Sequence, residues 1–341
     1  MAETTPLQQD PVKVEADDET GSSLGDDAST TSTSLNSSAL EYEYRHSRRY
    51  HGYRSGTYSF PNNAQEQDRL DIVHHGFFRL FNDKLLLAPI DLAGKRVLDI
   101  GTDQFPEAEL ITGNDLSPIQ PSWTPPNVKF IVDDVEQDWV EPHSYDYIHY
   151  RYIAGSIINW PRLFKQIYDN LSPGGWVEFQ ESDNILVSED GTLKPDNAVV
   201  KMMNGLMDAC DKIGRNISPA PSFKKWAEDA GFDNVTQQTF KLPVGTWAKD
   251  QRLKECGLYA RQNFLEGVQG FTAQLFKDLL NAGVRAAVRD NKVHALFNVV
   301  VVTAQKPDAH DWLVAKPSCV LECCLAMHRE APKHPGGDRV E

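Results

Sequence analysis

Cysteine is scarce in this chain. The five cysteines, Cys210, Cys256, Cys319, Cys323 and Cys324, are odd in number and show neither a disulfide framework nor zinc-ligand spacing. A reducing compartment is therefore the default. Positive charge is also short: 34 Lys and Arg stand against 49 Asp and Glu, a net charge of -15. No basic surplus exists to neutralise a nucleic-acid backbone. Arg45, Arg48, Arg49 and Arg54, interleaved with tyrosines, are the nearest thing to a basic patch and read as a solvated face. Long apolar runs are missing too. The longest, around residues 299–302, has strand length and falls far short of a bilayer span. The N-terminus is acidic and polar, without a signal-peptide pattern. No Gly-x-Gly-x-x-Gly follows the first strand, which argues against a dinucleotide-dependent dehydrogenase. These absences point to an intracellular protein, cytoplasmic or nuclear, with neither membrane nor nucleic acid as a direct partner.

What is present suits one large domain with additions, or two small ones: 341 residues, 40% of them hydrophobic. Residues 1–40 are rich in Ser, Thr, Asp and Glu and nearly free of large apolar groups. Such a tail cannot offset its ordering entropy by burial and is expected to be disordered. Residues 41–94 bring an abrupt run of aromatics (Tyr42, Tyr44, Tyr50, Tyr53, Tyr58, Phe60) suited to wrapping over a folded domain. A helix from residue 64 to about 87 follows, with Leu70, Val73, Phe77, Phe78, Phe81 and Leu85 on one apolar face. From 95 to 307, strands near 96–101, 108–115, 128–132, 145–152, 175–181, 235–242 and 295–304 alternate with helices near 161–171, 195–214 and 222–230. A helical insertion lies near 250–290. The stripe Met202, Met203 and Met207 reads as core. Residues 308–341 are expected to be a disordered tail. The alternation predicts an α/β layered domain with a mainly parallel sheet.

In such sheets ligands sit outside the C-terminal ends of the strands. Gly101, Asp115, Asp133, Asp134, Tyr150 and Arg151 all fall there. Glycine lets the backbone approach a ligand closely, and an acid at the next strand tip can accept hydrogen bonds from ribose hydroxyls. The connection between the first two strands conflicts with this layout. Only Thr102-Asp-Gln-Phe-Pro-Glu107 separates them, whereas a parallel crossover needs roughly a dozen residues and usually a helix. Either these strands are not parallel neighbours, or a helix is missing.

Several ordered stretches resemble the class I methyltransferases that use S-adenosyl-L-methionine. They are Val97-Leu-Asp-Ile-Gly-Thr102, Asn114-Asp-Leu-Ser-Pro-Ile-Gln-Pro121, Asp133-Asp-Val135 and Asp169-Asn-Leu-Ser-Pro-Gly-Gly175. Tyr50-His-Gly-Tyr-Arg-Ser-Gly-Thr-Tyr58, Gln67-Asp-Arg-Leu-Asp71, Asp115-Leu-Ser-Pro-Ile-Gln-Pro-Ser-Trp123 and Ala154-Gly-Ser-Ile-Ile-Asn-Trp160 are similar to the fungal LaeA-like group in particular. The resemblance covers roughly residues 44–307. It implies a Rossmann-like three-layer sandwich around a mainly parallel seven-stranded sheet, with the last strand antiparallel. It also implies roles. Gly101 lines the amino-acid end of the cofactor, Asp115 holds its ribose, and Asp134 with the backbone of Val135 reads the adenine edge. Tyr150 and Arg151 border the sulfonium and the acceptor. Asp99 and Leu116 complete the implied cofactor-binding set. The aromatic segment and the 250–290 helices are implied lids over an acceptor pocket. The departure from the family pattern is the first crossover, which lacks most of the glycine loop and its helix. Its loss predicts exposed apolar surface on one sheet face.

The implied activity is methyl transfer from S-adenosyl-L-methionine to an unidentified small-molecule or protein acceptor, with a link to fungal secondary metabolism. Such transfer needs positioning and exclusion of water, not an obligatory nucleophile or metal. His74, His75 and His149 are candidate bases, and the catalytic residue stays open. The alternative is a catalytically dead relative that has lost cofactor binding with the loop and acts through a regulatory protein partner.

Overall fold

The computed structural model describes residues 42–45, 48–54, 61–100, 107–119, 124–139, 144–272 and 278–308. Residues 101–106, which include Gly101 and most of the shortened first connection, and nearly all of both expected tails lie outside the described residues. A two-stranded ribbon, β1 (Glu43–Arg45) and β2 (Arg48–Tyr50), precedes the helix α1 (Ala64–Leu80). Then follow β3 (Arg96–Ile100), β4 (Leu110–Asp115), β5 (Val128–Val132), β6 (Tyr145–Arg151), α2 (Trp160–Asn170), β7 (Leu171–Ser182), α3 (Ala198–Lys212), α4 (Phe223–Ala230), β8 (Asp233–Pro243), α5 (Gln251–Thr272), α6 (Asp278–Ala287) and β9 (Leu296–Gln305).

The main sheet runs β5-β4-β3-β6-β7-β9-β8. Every pairing is parallel except those of β9, which is antiparallel to both β7 and β8. This is the mainly parallel seven-stranded sheet with an antiparallel last strand that the family resemblance implies. The central strands are buried on both faces, as parallel sheets require. Ile148 and Tyr150 of β6 pack under α2 and α4 with Trp160, Phe164, Phe179 and Phe223. The opposite face carries α1, α3, α5 and α6, whose Phe77, Met202, Phe264 and Val284 pack with Val299 and Val301 of β9. Two helix ends follow directly from sequence. Asn159 caps α2 by accepting from the Arg162 N–H, with Pro161 in the first turn. Gly231 closes α4 at φ 98°.

One expectation is corrected and one open choice is decided. First, α1 stops at Leu80, short of the predicted residue 87. Asn82 and Asp83 take left-handed conformations, at φ 57° and 59°, and the Asp83 N–H turns back to the Phe78 carbonyl. Leu85 therefore leaves the helix. The segment that follows lies across the sheet and buries Ala88 and Leu92 against Val97, Ile111 and Tyr147. Second, β3 and β4 are parallel neighbours, in register from Arg96↔Leu110 to Ile100↔Asn114. Nine residues, 101–109, join them. The return path is roughly 13 Å along the strands and about 5 Å across, well within the reach of nine extended residues. Of the two alternatives, that the strands are not parallel neighbours therefore falls, and a crossover too short for the usual helix stands. At the sheet edge the apolar residues Val128, Phe130, Ile131 and Val132 of β5 are only half-buried. No helix among the described residues is long and apolar enough to cross a membrane.

Candidate functional site

α1 forms the wall between two cavities. The first is a cleft of about 190 Å³ at the C-terminal ends of β3, β4 and β6. The second, of about 100 Å³, lies between α1, α3, α5 and the ends of β8 and β9. Leu70, Val73 and Tyr152 line both. The helical period explains the arrangement: Glu66, Leu70, Val73 and His74 turn one side to the cleft, while Arg69, Gly76 and Phe77 turn to the second cavity.

Five of the sequence-predicted residues meet at the cleft: Asp115, Leu116, Asp134, Val135 and Arg151. Asp115 ends β4, and its carboxylate accepts from the Ser117 N–H at 2.7 Å. Burial pushes its pKa up to about 6, against the lowering effect of the Ser117 and Leu116 N–H groups. A carboxylate has about four acceptor positions, so capacity for ligand hydroxyls remains. Asp134 is buried and already engaged. Its Oδ1 accepts from the Glu136 N–H, and its Oδ2 accepts from Gln137 Nε2 at 3.1 Å and Arg54 at 3.2 Å. The Val135 carbonyl accepts from both Trp139 and Gln166, which fixes that peptide. Arg151 donates to Gln180 Oε1 at 2.7 Å, to the Leu85 carbonyl at 2.9 Å and to His74 Nδ1 at 2.9 Å. Because a guanidinium only donates, His74 Nδ1 is the acceptor in this contact.

The other predicted residues sit apart. Asp99 is fully buried within the sheet, 3.0 Å from His149 Nδ1. Tyr150 is on the opposite face from Arg151, among Trp160, Phe179 and Phe223. Its hydroxyl donates to Glu181 at 2.9 Å. Gly101 lies outside the described residues. Of the candidate bases only His74 lines the cleft.

The sequence reading passed over Tyr152, Glu66 and Arg69. Tyr152 follows β6 with φ at +53°, a conformation a bulky residue rarely adopts. Glu181 supports that turn, accepting from the Ala154 N–H at 2.8 Å, and burial pushes its pKa up to about 7. Glu66 and Arg69 form an ion pair at 2.5 Å, with both side chains almost fully buried. Charged residues at helix positions spaced like the apolar stripe were the available signal. The N-terminal segment also docks here. Asn62 donates to Ser117 Oγ at 2.9 Å, and Arg54 reaches Asp134.

Residues 72–237 match the family model described as a methyltransferase domain. Methyltransferase pytC of Aspergillus terreus is 56% identical over 301 residues, covering 82% of this chain and 93% of that protein. The secondary metabolism regulator LAE1 of Cochliobolus heterostrophus is 33% identical over 287 residues, covering 76% of this chain and 93% of that one. The protein-methionine methyltransferase laeA of Emericella nidulans is 30% identical over 298 residues, covering 80% and 79% respectively. With likeness of this extent along most of its length, the chain belongs to the LaeA-like methyltransferases.

Proposed function

We propose that the cleft binds S-adenosyl-L-methionine and that the chain transfers its methyl group to an acceptor in a pathway of secondary metabolism. The observation that carries this reading is the meeting of Asp115, Asp134 and Val135 around one cleft at the strand ends. The residues present fit the cofactor. Asp115 has acceptor capacity for the ribose hydroxyls. Leu116, Ile119, Val135 and Ile157 offer apolar flanks for a flat base. Asp134 keeps one acceptor position on Oδ1 for an amino group, and the exposed Arg54 competes with the ligand for its other oxygen. The cationic Arg151 suits the carboxylate of the cofactor's amino-acid end.

When bound, the cofactor supplies an electrophilic methyl group on a sulfonium that leaves as a neutral thioether. The protein's part is to orient and to exclude water. Tyr152, shared by both cavities, stands where an acceptor in the second cavity meets a cofactor in the first.

Calorimetric titration with S-adenosylhomocysteine tests the reading. Asp115→Asn keeps the shape and removes the charged acceptor, so the Kd should rise by about tenfold to a hundredfold, the scale of hydrogen bonds to a charged group. A folded wild-type chain that binds neither S-adenosylmethionine nor S-adenosylhomocysteine sinks the enzyme reading and favours a regulatory scaffold.

A further inference from the structure

We infer that the second cavity is the acceptor site, and that it takes a small, largely apolar molecule carrying one hydrogen-bonding group. This rests on the methyl-transfer reading of the neighbouring cleft. Its walls belong to the main core rather than to the surface. Val73 and Phe77 come from α1, Met203 from α3, Leu242 from β8, Phe264 from α5 and Phe297 from β9, and all are buried. A macromolecular substrate would need an open approach to a shallow site. A cavity walled by core side chains from five elements instead fits a small apolar molecule.

Among the polar residues of the lining, Arg69, Asn263 and Tyr152 are linked to one another. Arg69, 3% exposed, donates to Asn263 Oδ1 at 2.5 Å and is held from behind by Glu66. Asn263 in turn lies 3.5 Å from the Tyr152 hydroxyl. These three side chains converge from α1, α5 and the turn after β6. They form a polar patch that includes Tyr152, a residue of the wall shared with the cleft. An acceptor that points its polar group there presents that group towards the cofactor side, while its carbon skeleton fills the apolar part. The left-handed backbone of Tyr152 fits this role. Strain at a bulky residue persists only where its surroundings fix it, and here Glu181 and the Phe77 ring, 5.7 Å away, do so.

The test uses the full chain, saturated with S-adenosylhomocysteine, and two single-ring probes sized to the cavity, phenol and benzene, in equilibrium dialysis. Wild type should bind phenol at one saturable site, roughly five- to tenfold tighter than benzene, the size of one neutral hydrogen bond. Tyr152→Phe should shrink that preference. Leu206→Trp places bulk in the cavity from a residue that does not line the cleft. It should abolish binding of both probes while leaving the S-adenosylhomocysteine affinity unchanged, which also reports that the variant is folded. Probe binding that survives Leu206→Trp, or no saturable binding up to the solubility limit, overturns the inference. If the probes bind in a Leu206-dependent way but S-adenosylhomocysteine does not bind, the reading of the cleft fails instead.

Discussion

Asp115 meets opposite demands from fold and ligand. Its carboxyl is pushed up to about 6 by burial. Between roughly pH 4 and pH 6 the folded chain therefore holds a proton that the unfolded chain has lost, and Asp115 makes folding stability rise as pH falls through that window. A ribose hydroxyl prefers the ionised acceptor. The affinity for S-adenosylhomocysteine should therefore increase as pH rises through about 6, and calorimetry between about pH 5 and pH 8 should show a flat profile for Asp115→Asn. A wild-type profile as flat as that of the variant would remove Asp115 from the ligand contacts. At this scale the sequence was readable where chemistry and strand ends coincide, as at Asp115 and Asp134. It was misleading where neighbours in sequence part in space. Tyr150 and Arg151 are adjacent, yet strand alternation turns one into the aromatic core and the other to the cleft. Tyr152 gave no signal, because its importance lies in a backbone dihedral that residue type does not disclose.

The helices of the upper layer depend on close approach. Gly257 lies inside α5, and its carbonyl accepts from the Gly245 N–H at 3.0 Å. A Cβ on Gly257 would overlap the Gly245 carbonyl oxygen, and Gly245 itself sits at φ 98°. Gly257→Ala, which by helix propensity alone would stabilise, should instead destabilise by about 1–3 kcal/mol or more, with an unchanged m-value in urea unfolding. A neutral or stabilising result would show that the two segments part easily. The sequence shows Gly257 only as a weak helix residue, since a clash with a segment twelve residues earlier is a tertiary fact. Element type was nonetheless readable almost throughout. The sheet strands and the α2 and α4 ends follow from apolar runs, Pro161 and Gly231. The end of α1 was not readable, because Phe81 and Leu85 continue the helical spacing past the left-handed turn at Asn82 and Asp83.

Across the whole molecule, charge and connectivity set different limits. Residues 1–40 contain eight acids and one lysine, so nearly half of the net charge of -15 resides in that stretch. A polyanion meets a repelling field there. Connectivity has a subtler effect. At the β5 edge the strands are joined by nine residues (101–109) and twelve (116–127), whereas β6 and β7 are separated by a connection of nineteen (152–170) that includes α2. Loop-closure entropy grows with the logarithm of length, so the shortest connection closes at a cost lower by about 0.7 kcal/mol than the longest of these. Parallel pairing is ordinarily a late, non-local event. Here the β3–β4 pair is nearly as local as a hairpin, and assembly of the sheet should begin at that edge. Ile111→Val should accordingly slow refolding, whereas Val299→Ala in β9 should mainly speed unfolding, as stopped-flow chevrons would show. The shortened connection would then set the order in which the chain assembles, bringing the strand that ends in Asp115 into place before the helices that enclose the cavities.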